Sequence, residues 1–191
     1  ALDLSLARTS RFGLHDNQFA ASYSMPLSAE LTATIDANAS DTHRVLARHA
    51  FGGELQYEFA KGWLAHGGAR TTSYDSATVN QALVSLERYI GDYSMTAAWR
   101  PTHAYGTTSH GFELRGSRYY GERSAVTLIL AGGREAASVP GGVSLTGVRS
   151  VALTGRHWFD RHWAATWAVG HTRQGNLYSR DGITLGAQYA F

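Results

Sequence analysis

Apolar and polar residues alternate with a period of two along almost the whole chain, and this constrains the fold most. Leu2, Leu4 and Leu6 alternate with Asp3, Ser5 and Ala7. Phe51, Leu55, Tyr57 and Phe59 alternate with Glu54, Gln56 and Glu58. Trp163, Ala165, Trp167 and Val169 alternate with Ala164, Thr166 and Gly170. Successive side chains of a strand point to opposite faces, so each stretch reads as a strand with one apolar and one polar or small face. Twelve such segments are predicted, at about 2–10, 17–26, 29–37, 46–59, 62–73, 78–90, 92–101, 107–120, 122–134, 145–158, 161–173 and 178–191. No run approaches the roughly 18 apolar residues of a membrane-spanning helix.

The connections between segments form two sets. Tight ones are expected at Pro26-Leu27-Ser28, Ala60-Lys61-Gly62, Gly91-Asp92, Gly121-Glu122 and Asp160-Arg161. Longer ones are expected at about 11–16, 38–45, 74–77, 102–106, 135–144 and 174–177. Short turns at one end and longer loops at the other are the asymmetry of outer-membrane barrels, and an even strand number puts both termini at the short-turn end. Aromatic residues gather there. Phe59, Trp63, Tyr89, Tyr93, Trp158, Phe159, Trp163, Tyr189 and Phe191 are predicted to form an interfacial girdle. The chain ends Thr184-Leu185-Gly186-Ala187-Gln188-Tyr189-Ala190-Phe191. Gly186, Tyr189 and the final Phe191 have the spacing of the C-terminal signature recognised by the outer-membrane barrel-assembly machinery.

Composition fits this reading. The 191 residues suit one domain, 1–191. Mean hydropathy is −0.25, as expected of strands that are only half apolar. Cys is absent, which removes disulfides and Cys-based metal sites. The net charge of +2 gives no field that would draw nucleic acid. Lys61 is the only Lys, so the basic character is Arg. A soluble β-sandwich also alternates, but it explains neither the aromatics at one end nor the terminal signature. The expected fold is a single twelve-stranded, antiparallel, up-and-down β-barrel in the outer membrane, with periplasmic termini.

Several stretches of the second half resemble a known family. They are Gly91-Asp92-Tyr93-Ser94-Met95-Thr96, Trp99-Arg100-Pro101, Ser109-His110-Gly111-Phe112-Glu113-Leu114-Arg115 and Arg118-Tyr119-Tyr120. Gly132-Gly133-Arg134-Glu135 and the final strand from Arg180 to Phe191 complete the set. Together they resemble the YaiO family of outer-membrane barrels over roughly residues 50–191, with the first 45 residues matching in strand pattern. The resemblance implies a membrane barrel without known catalytic residues. It also implies a link to exopolysaccharide export, where related barrels follow periplasmic helical repeats.

Alternation assigns the functional candidates. Asp36, Glu54, Gln56, Glu58, His66, Arg70, Glu87, Arg100, Glu113, Arg115 and Arg156 are predicted to line the interior. Charges of mixed sign there must pair, forming either a rigid plug or a path for polar solute. Ser109, His110 and Glu113 invite an enzyme reading. Ser109 and His110 are neighbours on a strand and face opposite ways, which argues against it. The nine histidines show no spacing that marks a metal site.

The sequence thus predicts a non-enzymatic, monomeric barrel without cofactor. It would be a small pore, or the membrane-embedded part of an envelope export or anchoring system for polysaccharide. Expected partners are outer-membrane lipid and lipopolysaccharide, the assembly machinery, and a polar solute or polysaccharide, but not nucleic acid. The alternatives are an outer-membrane enzyme acting on phospholipid or lipopolysaccharide, and a structural anchor or surface receptor.

Overall fold

In a computed structural model, which describes residues 1–11, 13–139 and 142–190, the chain is a meander of twelve antiparallel strands in sequence order. They are β1 (Leu2–Arg11), β2 (Leu14–Pro26), β3 (Leu31–Ser40), β4 (His49–Ala60), β5 (Trp63–Ser73) and β6 (Thr78–Ile90). There follow β7 (Tyr93–Ala104), β8 (Thr107–Tyr120), β9 (Ser124–Val139), β10 (Gly142–Trp158), β11 (Trp163–Gln174) and β12 (Tyr178–Tyr189). The sheet curls on itself, since Glu54 on β4 and Thr154 on β10 line one cavity.

Burial is inverted relative to a water-soluble domain. Large apolar side chains face out: Leu6 is 83% exposed, Met95 67%, Ile183 77% and Leu185 80%. The buried set is small or polar, including Ser85, Ala98, Ser117 and Ala164. An exposed apolar surface of this extent is a liability in water and is stabilising in lipid.

The expected loop asymmetry is not found. Strands run further at the end away from the termini than alternation suggested, and they take up most of the predicted long loops. The connection at 102–106 shrinks to Tyr105-Gly106, both with positive φ (52° and 72°), the backbone of a tight primed hairpin turn. Gly106 makes this turn accessible because it has no Cβ penalty at positive φ. The predicted loop at 135–144 is largely strand: β9 and β10 pair from Arg156↔Ala125 out to Gly142↔Val139. The hairpin beyond Arg134 and Gly147 projects past β8, whose pairing with β9 ends at Gly111↔Gly133. The long connection that remains is 41–48, tied down by Asp16. The Asp16 carboxylate is fully buried and accepts from the Thr42 hydroxyl and the backbone N–H groups of Arg44, Val45 and Leu46.

Among the described residues no ladder joins β1 to β12, so these two strands are the sheet edges. Both are exposed along nearly their whole length.

Candidate functional site: the polar interior

Register brings the predicted interior residues into rows across the inner face. One row reads Asp36, Gly52, Arg70, Gln81, Thr102, Ser109. A second reads Gln56, His66, Ser85, Ala98, Glu113, Ala131, Ser150, Thr172, Arg180. A third reads Glu58, Leu64, Glu87, Thr96, Arg115, Ile129.

Three charged clusters sit on and between these rows. Asp36 pairs with Arg70 across Gly52, where a Cβ would collide with the Asp36 carboxylate. His66 lies between two acids, with Nδ1 2.9 Å from Glu54 Oε1 and Nε2 3.5 Å from Glu87 Oε2. Glu113 lies between two guanidiniums, 3.3 Å from Arg100 and 2.8 Å from Arg115. The second and third clusters face a cavity of about 470 Å³, to which Ser117, Tyr119 and Thr127 also contribute. Arg100 and Glu113 also border a cavity of about 590 Å³ towards the far end. Each charge thus has an opposite partner or an imidazole nitrogen within 3.5 Å, which offsets part of its desolvation, although His66 Nε2 makes no hydrogen bond.

Some predicted residues sit elsewhere than at the centre. Glu58 is exposed near the β4–β5 turn and accepts from Gly62 N–H at 2.9 Å. Arg156 donates from Nε to the Arg123 carbonyl at 3.3 Å, at the terminal end. Gln56 lies opposite His66.

The girdle divides. Phe59 and Trp63 pack with ring centroids 6.2 Å apart, and Trp163 meets Tyr189 edge-on at 4.8 Å. Tyr93 (53% exposed) and Phe159 (68% exposed) are also outside. Tyr89 and Trp158 are corrections: both belong to the inner face. Tyr89 shares the parity of Glu87 and stacks on Tyr119, a cavity residue. Trp158 shares the parity of Thr154 and lies opposite buried Ala164. Proximity to a turn suggested a girdle position, but parity decides the face. In the terminal signature, Gly186 faces Thr166 and Tyr189 packs on Trp163, while Phe191 lies outside the described residues.

Ser109 and His110 do not meet. Ser109 is buried and donates to the Thr102 carbonyl at 3.4 Å, whereas His110 stacks outside on Trp99. Among the described residues no group of three or more His, Asp or Glu could hold a metal ion.

Sequence reasoning missed Gln81, Thr102, Tyr119 and Thr154 as interior residues. Parity carried that signal, but their polarity is too weak to stand out beside the charges.

An outward apolar surface, a polar charged interior and an all-antiparallel meander define a β-barrel of outer-membrane type. The chain belongs to the family described as the YaiO membrane beta barrel domain, whose model matches residues 4–137. That match takes in the N-terminal strands, where the sequence had shown the strand pattern alone. No curated protein sequence matches the chain significantly. Similar solved structures share the fold. The COG4313 outer membrane channel from Pseudomonas putida F1 aligns with TM-score 0.67 and 10% identity, covering 98% of this chain and 84% of that one. The KdgM porin aligns with TM-score 0.59 and 15% identity, covering 93% and 92%. A bacterial polysaccharide outer membrane secretin aligns with TM-score 0.57 and 12% identity, covering 94% and 80%.

Proposed function

We propose that this barrel is a non-enzymatic pore. Its interior passes a small polar solute, and it serves as the membrane-embedded part of a polysaccharide export system with periplasmic termini. The charged interior carries the reading. Glu54, His66, Glu87, Arg100, Glu113 and Arg115 come from five adjacent strands and face one cavity of about 470 Å³. Four carboxylates (Asp36, Glu54, Glu87, Glu113) stand against three guanidiniums and one imidazole. Such a near-balanced lining attracts neither ion sign strongly and offers alternating donors and acceptors to hydroxyl-rich solutes. The shared fold with porins and with a polysaccharide secretin supports this reading, as does the family.

Liposome swelling tests it. Vesicles containing the protein should swell in neutral mono- and disaccharides at rates well above protein-free vesicles. Glu113→Gln, which frees two guanidiniums in the lumen, should shift the preference towards acidic sugars. No swelling with any sugar would contradict the proposal.

A further inference from the structure

The outer face carries a second polar feature. Arg134 on β9, Arg149 on β10 and Arg173 on β11 lie together at the end away from the termini, and all three are exposed. Register gives their arrangement. One row reads Gly132, Arg149, Arg173, Ser179. The next sets Arg134 against Gly147, with Gly175 N–H bonded to the Gly147 carbonyl at 2.7 Å. Arginines therefore alternate with glycines in a checkerboard, around a concavity of about 540 Å³ floored by Gly132, Gly147 and Gly175.

These charges are not satisfied by the described residues. Among the described residues the Arg134 and Arg149 side chains make no ion pair or hydrogen bond, and the Arg173 side chain donates only to the Gly175 carbonyl at 3.3 Å. Arg149 and Arg173 are direct cross-strand partners, a like-charge pairing that is destabilising unless an anion lies between. Guanidiniums are suited to binding phosphate oxygens in a bidentate manner.

The surroundings identify the anion's carrier. Towards the membrane centre the next outward row holds Leu130, Val151 and the His171–Asp181 pair. Below it come Leu128, Leu153, Val169 and Ile183. An apolar strip leads from the arginines into the lipid zone.

We propose that Arg134, Arg149 and Arg173 form a binding site for a phosphate-bearing membrane lipid. Its phosphates sit on the guanidiniums over the glycine floor and its acyl chains lie along Leu130, Val151 and Leu153. Gly132 and Arg134 also border the cavity of about 590 Å³, whereas Arg149 and Arg173 do not, so the site stands whether or not the lumen conducts.

The test is lipid retention by the full chain refolded in neutral detergent, read by native mass spectrometry. The probes are bisphosphorylated lipid A, the same lipid stripped of phosphate, and sodium phosphate. Folding of each variant is checked by its heat-modifiable gel mobility. Wild type should retain one phosphorylated lipid, and R149Q/R173Q should lower its retention at least tenfold. Gly147→Phe, which keeps every charge but fills the floor, should lower it as well. Arg118→Gln, an outward cation at the opposite end, should retain lipid like wild type. Equal retention by wild type and R149Q/R173Q would overturn the site. Equal retention of the phosphate-free lipid would do the same. Displacement of the lipid by an equal concentration of sodium phosphate would show an anion site rather than a lipid site.

Discussion

Gly155 shows how one residue sets the outer surface. It lies opposite Trp167 on β11, and the indole covers it so closely that a Cβ would enter the ring. A glycine in a strand normally costs stability, because it has nothing to pack and more entropy to lose. Here the neighbouring aromatic occupies the empty site and covers the exposed backbone. Gly155→Val would displace the indole, and overpacking of this kind costs about 1–3 kcal/mol. A urea titration of the refolded protein should show the unfolding midpoint falling by that equivalent. An unchanged midpoint would mean that Trp167 relocates freely. Pairs at this scale, like Asp36 with Arg70, were beyond the sequence because they depend on register, and alternation gives faces without partners.

Among the elements, the 41–48 connection has the clearest dependence on pH. Asp41 accepts from the backbone N–H of Asn17 at 2.9 Å and from the Asn17 side-chain amide at 2.7 Å. It also accepts from Thr42 N–H at 2.7 Å. The backbone bond from Asn17 leads these in holding the carboxyl down at about 2, against an ordinary 3.8. A folded-state value below the unfolded one favours the closed loop above pH of about 4, and the advantage is lost as pH falls towards 2. Amide exchange at Asn17 and Thr42, corrected for its intrinsic pH dependence, should accelerate between those limits. Asp41→Ala should exchange fast at both ends of the range. A flat wild-type profile would show that the carboxylate does not hold the loop. Strand existence and order were fully legible in the alternation, because the two environments, lipid and lumen, differ so sharply. Strand ends were not. Ala136 looks like a loop residue in sequence, yet it pairs with Leu145, because a strand that runs on past its neighbour β8 needs no apolar face. Tyr89 and Trp158 were misassigned for a related reason. Nearness to a turn is a weaker constraint than parity with Glu87 and Thr154.

For the whole molecule, the sequence identified the membrane environment, and the fold explains how the chain meets it. The apolar side chains face outwards, and the charges gather inside in mutually compensating clusters. The meander leaves β1 and β12 as edges, although both carry the outward apolar alternation of their neighbours. Unpaired backbone groups cost several kcal/mol each in hydrocarbon, so the bilayer favours joining these two strands. Both termini already lie at one end, which gives the antiparallel orientation such a closure needs. The proposed pore requires that the space within the curled sheet conducts. Single-channel recording of the refolded protein in a planar bilayer measures this. Steady unitary currents are predicted, with amplitude or ion preference altered by Glu54→Gln and by Arg115→Gln, whose parent side chains border the same cavity. A membrane that stays electrically sealed with folded protein inserted, or currents identical to wild type in both variants, would rule out a conducting interior.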